Sequence, residues 1–152
     1  EWYYGLMRHV VVESEGCFNR LPNNGLVGFW PRSFHPDDAL PRAIEAAESV
    51  LAEAPAINGR ARKLLGAGGE LHVDIAILED GAYIGAFDSQ DKTSYTIRAD
   101  ALSGILSATS AIGKGAKSGI FCFKDVSAAM EKLKKTEKTK IKIDGKPVYV
   151  MK

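Results

Sequence analysis

One cysteine of this sequence stands where a thiol could act as a nucleophile. Cys122 lies in the apolar segment 119–123, shortly before segment 126–133, whose apolar spacing predicts a helix. The positive end of a helix dipole and the backbone N–H groups of the first turn favour the thiolate, the nucleophilic form of cysteine. The same N–H groups could hold an oxyanion. The alternative is that Cys122 is a buried apolar residue, as most free cysteines are.

Two further residues could complete a catalytic site with Cys122. His9 precedes Val10, Val11 and Val12, and this β-branched run predicts a strand over residues 6–13. On a rigid strand, His9 could be the base that activates the thiol. Glu13 cannot orient His9 there, because four extended residues span ~13 Å. Asp74, in the predicted strand 71–78, could accept a hydrogen bond from the imidazole and fix its tautomer. The alternative for Asp74 is a carboxylate in water at the end of its strand.

Other arrangements of cysteine and histidine are less favourable. A site in the direct order Cys17 then His72 lacks a helix that begins at the cysteine. The three histidines and two cysteines show no C-x-x-C or H-x-x-x-H spacing, so no metal site is predicted. Two cysteines are too few for a disulfide scaffold, although one bridge between Cys17 and Cys122 stays open.

The elements that must position these residues follow the order ββ-α-ββ-α-β-α-ββ. Proline and acidic residues at 36–38 begin the first helix, which Pro55 is expected to end. Residues 79–81 predict a hairpin turn between two strands, and Asp144-Gly145 predicts another. Further apolar spacing predicts a helix over residues 102–112. This order predicts an α+β fold with a largely antiparallel sheet and about three helices.

Length and composition place the chain among globular domains. Its 152 residues are 45% hydrophobic and 26% charged, which predicts one domain over residues 1–152. No apolar run reaches the ~20 residues of a membrane-spanning helix, and no transmembrane segment is expected. The sequence begins with Glu1, without a signal peptide pattern. We expect a soluble domain that is either processed or part of a larger, secreted or delivered protein, and its compartment stays open.

Charge is unevenly distributed along the chain. Residues 114–152 carry 11 lysines against four acidic residues, whereas the net charge of the whole chain is +1. A basic end on an acidic body suits a non-catalytic binding module with a polyanion, nucleic acid or protein partner, which is the alternative to an enzyme. The simpler interpretation of residues 132–146 is a solvated helix face and a sheet edge protected by lysine.

The segment Arg8-His9-Val10-Val11-Val12, followed by Gly25-Leu26-Val27-Gly28-Phe29-Trp30-Pro31, resembles the opening of circularly permuted NlpC-type (papain-like) domains. Tyr95-Thr96-Ile97, a predicted helix and then the late Cys122 match the same order, although Phe121 stands where the family often has Asn. The resemblance implies a permuted papain-like topology.

The resemblance also implies a thiol amidase, endopeptidase or acyl hydrolase. Cys122 would be the nucleophile and His9 the base, while Asp74 is our own candidate for the third residue. Peptidoglycan stem peptides, lipid esters or protein acyl groups would be the substrates, and no cofactor would be needed. If the domain is an antibacterial effector or toxin, a cognate immunity protein is an expected partner.

Residues 117–125 and 143–148 are similar to the second half of an RNA-recognition motif, in which aromatic side chains stack on bases. However, the expected aromatic positions fall on Ser118 and Ile120, and one strand is missing from the order. Nucleic acid is therefore not an expected partner.

Overall fold

In the computed structural model, the described residues are 2–20, 25–66, 73–81, 83–89, 92–98, 118–143 and 145–152. They form three helices and eight strands. In chain order these are α1 (Trp2–Glu13), β1 (Cys17–Arg20), β2 (Leu26–Phe29), α2 (Ala39–Leu65), β3 (Asp74–Ile77), β4 (Tyr83–Ser89), β5 (Lys92–Arg98), β6 (Gly119–Phe123), α3 (Lys124–Met130), β7 (Thr136–Ile143) and β8 (Lys146–Met151).

The strands of the described residues form three sheets. A four-stranded sheet has the order β3-β6-β8-β7, while β1 pairs with β2 and β4 pairs with β5. All strand pairs are antiparallel except β3 and β6, which run parallel with Ile77 opposite Cys122. The α+β class is therefore confirmed, and its sheets are antiparallel apart from this one pair. That residues 1–152 form a single domain stays a prediction.

Helix α1 replaces the strand that the sequence predicts over residues 6–13. Its two buried stripes follow helical spacing: Tyr3, Met7 and Val10 pack with residues of α2 and β3, while Val11 lies over Gly28 of β2. Packing on two sides outweighs the β-propensity of the valine run, which is a weak preference compared with burial. The strand that pairs with β2 is accordingly β1, and not residues 6–13.

Helix α2 continues through Pro55, where the sequence predicts its end. Its buried residues Ile44, Ala47 and Val50 cover β3 and β6, and Ala54 is also buried. Burial of this first half stabilises the helix far more than the local cost of the proline, because tertiary packing supplies most helical stability.

The turn at residues 79–81 does not form the predicted hairpin. Strand β3 ends before it, and β4 pairs instead with β5, with Tyr83 opposite Arg98. Glu79-Asp80-Gly81 favours a turn only locally. Strand β3 pairs with β6 in the four-stranded sheet, whereas β4 belongs to the sheet with β5. The predicted helix over residues 102–112 lies outside the described residues.

The main core lies between the four-stranded sheet and helices α2 and α3. Its buried members come from α2 (Ile44, Ala47), β3 (Ile77), β6 (Ile120, Cys122) and α3 (Val126, Met130). On the opposite face of the sheet, Phe121, Ile143 and Val148 form a second buried cluster. No helix of the described residues is long and apolar enough to cross a membrane.

Met130 is fully buried in the main core, with 0% of its surface exposed. We expect Met130→Ala to lower the free energy of unfolding by about 2–5 kcal/mol, because the truncation leaves a cavity. Leu133 is 49% exposed, and Leu133→Ala is the control with an expected change within about 0.5 kcal/mol. Urea unfolding followed by circular dichroism measures both changes. Equal effects in the two variants would contradict the assignment of Met130 to the core.

Candidate functional site

Cys122 lies inside the core and not at an accessible helix terminus. It sits in β6 opposite Tyr149 of β8, its surface is 3% exposed, and α3 begins two residues later at Lys124. Burial raises the pKa of the thiol from its ordinary value of 9.0 to about 11. This is the opposite direction from the one that the helix-dipole argument predicts. Cys17 is half-buried on β1, and neither cysteine forms a disulfide.

His9 lies on the exposed face of α1. Its side chain is 70% exposed, and Nδ1 is 3.9 Å from Oε1 of Glu13 one helical turn later. The helix thus brings together two residues that an extended strand would hold ~13 Å apart. The buried cluster around Cys122 does not include His9 among its members. The structure therefore does not place His9 with Cys122 in the core.

Asp74, the third of the predicted catalytic residues, lies among both polar and apolar side chains. It begins β3, and its Oδ1 atom is buried. Burial, and secondly the negative charge of Asp74, raise the pKa of Tyr3 on α1. The Tyr3 hydroxyl is buried and has no hydrogen-bond partner among the described residues. A phenol with a raised pKa stays protonated at neutral pH, so it keeps its O–H as a donor.

Two further contacts involve the chain neighbours of Tyr3 and Asp74. The guanidinium of Arg20, at the end of β1, lies 5.0 Å from the ring centre of Tyr4 on α1. Ser118, just before β6, accepts a hydrogen bond at Oγ from the backbone N–H of Val73, 3.0 Å away. We call Tyr3, Tyr4, Arg20, Asp74 and Ser118 the Asp74 edge. Its members are linked through chain neighbours, Tyr4 beside Tyr3 and Val73 beside Asp74, and together they offer a cation, a carboxylate and hydroxyl groups.

The opposite end of β2 and β3 is tied by side chains that already have partners. Arg32, after β2, forms an ion pair with Glu79, after β3. Trp30 donates from Nε1 to the Ser14 carbonyl at 3.0 Å, and Nε2 of His35 lies 3.0 Å from the Glu15 carbonyl. These bonds fasten the end of α1 to the loop before α2.

Arg42 adds a charged contact to this tied end. It donates from Nε to Asp38 at 2.7 Å and lies 3.3 Å from the Glu15 carboxylate. The hydrogen bond with Asp38 is the main cause that raises the pKa of Arg42. The polar groups at this end are engaged with one another, and we take the Asp74 edge as the candidate for a ligand.

The described residues do not provide a metal centre. No group of three or more histidine, cysteine, aspartate or glutamate side chains in the described ranges could hold an ion. Asp74 is the single carboxylate in the Asp74 edge as we define it, whereas divalent cations in proteins prefer several oxygen ligands.

The fold is shared with nucleotidyl cyclases. No family model matches the sequence, and no similar sequence was found among the curated proteins. Among solved structures, the chain is similar to the adenylyl cyclase CyaB from P. aeruginosa, with a TM-score of 0.67 and 15% identity, over 99% of this chain and 78% of that one. It is also similar to the guanylyl cyclase Cya2, with a TM-score of 0.66 and 17% identity, over 98% and 76% of the two chains.

These similarities overturn the papain-like interpretation. The topology is that of the two cyclase structures, so the permuted NlpC-type fold was a wrong prediction. The cysteine hydrolase function and its peptidoglycan, effector and toxin associations were wrong too, as were the peptide or acyl substrates with an immunity protein. The lysine-rich binding module is likewise not supported. The short motifs that suggested NlpC fall on a helix at His9 and on a buried strand at Cys122.

The sequence singled out Asp74, as a residue that would orient a catalytic histidine, but did not single out the other members of the Asp74 edge. Tyr3 and Tyr4 belong to a helix that the sequence did not predict, so their spacing carried no signal for a site. Arg20 stands alone before a run of turn residues. One signal could have indicated this helix. Tyr3 and Tyr4 stand four residues before Met7 and Arg8, the spacing at which side chains contact each other along a helix.

Thiol reactivity distinguishes the two cysteines. At pH 7.5 we expect iodoacetamide to label half-buried Cys17 faster than Cys122, because burial limits access to Cys122 and raises the pKa of its thiol, which lowers the fraction present as thiolate. Mass spectrometry of tryptic peptides measures both rates in the folded protein. Labelling in urea is the control and should bring the rates close together. Faster labelling of Cys122 in the native protein would contradict its buried position.

Proposed function

We propose that this domain binds a purine nucleoside triphosphate at the Asp74 edge. The observation that carries the proposal is the shared fold: nearly the whole chain superimposes on an adenylyl cyclase and on a guanylyl cyclase. As their names state, these two proteins act on adenine and guanine nucleotides. A purine nucleotide is therefore the ligand class that the comparisons support.

Arg20 suits the phosphate end of such a ligand. A guanidinium presents a planar set of donors that matches phosphate oxygens, and it is always charged. Arg20 is exposed at the end of β1, where it lies over the ring of Tyr4. This ring contact orients the guanidinium in advance, which lowers the entropy lost when a phosphate binds.

Asp74 suits the sugar or the base. A carboxylate accepts hydrogen bonds from ribose hydroxyls or an exocyclic amine, but it repels phosphate. The Tyr3 hydroxyl beside it can donate to a ring nitrogen or a sugar oxygen. With Arg20 and Asp74 at different positions along the edge, the charges favour one orientation of the nucleotide. Ser118 is exposed at the same end and offers a further hydroxyl.

The proposal concerns binding and not cyclisation. Phosphoryl transfer from a nucleoside triphosphate is generally assisted by divalent cations held by carboxylates. The described residues of the Asp74 edge do not fit such a centre, since Asp74 is their single carboxylate and the described ranges hold no suitable cluster. No chemical step is therefore assigned to them.

Nucleotide binding is tested by isothermal titration calorimetry with ATP and GTP, each with and without Mg²⁺. We expect a measurable heat for at least one purine triphosphate and a weaker one for CTP or UTP. At a ligand concentration ten times Kd, the melting temperature should rise by about 3–5 °C, because a ligand of the native state stabilises it by RT ln(1 + [L]/Kd). No heat and no thermal shift at about 5 mM of either purine nucleotide would contradict the proposed function.

Variants test the position of the site separately. We expect Arg20→Gln to weaken binding of the triphosphate by about 10- to 100-fold, because it removes a charge-assisted hydrogen bond. The matched control is Arg8→Gln, since Arg8, one helical turn after Tyr4 on α1, makes the same kind of contact, 5.6 Å from the ring centre of Phe18. Asp74→Asn should weaken adenosine as much as ATP. Nucleotide binding that is unchanged by Arg20→Gln would sink the placement at the Asp74 edge while leaving the function in place.

A further inference from the structure

Two arginines are held over aromatic rings where α1 packs against β1. The guanidinium of Arg8 lies 5.6 Å from the ring centre of Phe18, and that of Arg20 lies 5.0 Å from the ring centre of Tyr4. Both arginines are exposed, and both rings are half-buried. Because each guanidinium is already oriented by its ring, less side-chain entropy is lost when an anion binds. We call these four residues the Arg8–Arg20 face.

The fold places the two arginine contacts one regular step apart. Tyr4 and Arg8 are separated by one turn of α1, which puts their Cβ atoms ~5–6 Å apart. Phe18 and Arg20 share a face of β1 and lie ~6.6 Å apart along the strand. Since residue numbers rise along β1 where they fall along α1, the two contacts lie side by side. The two guanidinium groups are therefore separated by about one helical turn along α1.

Neither arginine of this face has an ion-pair partner within the part of the chain that the structure describes. The carboxylates that follow at the end of α1 have other partners: Glu13 lies 3.9 Å from His9, and Glu15 lies 3.3 Å from Arg42. Two positive charges held side by side repel each other, and an anion that lies across both offsets this repulsion. The face thus suits a ligand with two negative charges about one step apart.

The size of this step selects the class of anion. Successive phosphates of an oligonucleotide are separated by a whole sugar, which is a distance of the same order as the step between the two guanidinium groups. The phosphates of a nucleoside triphosphate share bridging oxygens and lie much closer together, so one arginine suffices for them. A guanidinium matches phosphate oxygens with its planar set of donors, and the rings beside it offer surface on which bases can stack.

We propose that the Arg8–Arg20 face binds a linear oligonucleotide, with successive phosphates on Arg20 and Arg8. The terminal nucleoside lies at the Asp74 edge, since Arg20 and Tyr4 belong to both surfaces. The inference rests on the proposed function in this respect, and it extends the ligand from a mononucleotide to a chain of nucleotides. The lysine-rich residues 132–146 take no part in it.

Two dinucleotides that differ by one phosphate test the second contact. ApA carries one phosphate, between its nucleosides, whereas pApA carries another at its 5′ end. We expect pApA to bind about tenfold more tightly than ApA, because the added phosphate gains a charge-assisted hydrogen bond from Arg8. Isothermal titration calorimetry measures both, and pGpG with GpG repeats the comparison for guanine. The affinity of pApA should also fall more steeply with salt than that of ApA.

Variants assign the added affinity to a residue. We expect Arg8→Gln to remove the gain of pApA over ApA and to leave ATP and ApA within about twofold of the wild-type affinity, whereas Arg20→Gln should weaken all three. The matched control is Arg60→Gln, which removes the same charge from an exposed arginine of α2 and should change none of them. Circular dichroism confirms that the variants stay folded.

The outcomes separate this inference from the proposed function. Equal affinities of pApA and ApA for the wild-type chain, or a gain that survives Arg8→Gln, would overturn the oligonucleotide face, while binding of ATP or GTP would leave the proposed function intact. Binding of pApA that depends on Arg8, without binding of either purine triphosphate, would support the face and contradict the triphosphate as the ligand.

Discussion

The packing of α1 on two sides is the constraint on which the described structure depends. One stripe of this helix, with Met7 and Val10, packs with α2 and β3, while Val11 lies against Gly28 of the β1–β2 hairpin. No ladder of hydrogen bonds joins that hairpin to the four-stranded sheet among the described residues. Side-chain packing on α1, together with the Arg32–Glu79 ion pair at the far end, therefore fixes the position of the two sheets relative to each other. A β-carbon at Gly28 would come within 2.9 Å of Val11, so the close approach requires glycine there.

The two ends of the strands consequently differ in chemistry. At one end Trp30, His35 and Arg42 bind backbone carbonyls and carboxylates of the neighbouring segments, so their polar groups serve the fold. At the other end Arg20 is exposed and Asp74 is half-buried beside Tyr3. The buried Tyr3 hydroxyl, which has no hydrogen-bond partner among the described residues, supports ligand binding at that end. His35, although buried, has a structural role here, because its ring contacts the Glu15 carbonyl.

Elements with short-range signals could be predicted from the sequence, and elements decided by distant contacts could not. The β7–β8 hairpin, β6 and α3 follow from a glycine turn and local apolar spacing, and Gly145 has the positive φ of 77° that such a turn favours. The valines of α1 and Pro55 of α2 misled prediction because burial on neighbouring elements outweighed their local preferences. For the site, the sequence singled out Asp74 in a different role, and it did not indicate the buried environment of Cys122. The pKa of Cys122 depends on whether its side chain lies on the face of β6 that meets α2 and α3. A single sequence does not show which face that is.

The parallel pairing of β3 with β6 also governs how the chain can fold. The two strands meet across a long intervening segment that contains its own hairpin, and the Val73–Ser118 hydrogen bond spans 45 residues. Closing such a loop costs entropy before any contact is gained, so non-local pairs form slowly. The β7–β8 and β4–β5 hairpins can form early, each from neighbouring residues. Completion of the central sheet must then wait for β3, which makes this single parallel contact the expected slow step of folding.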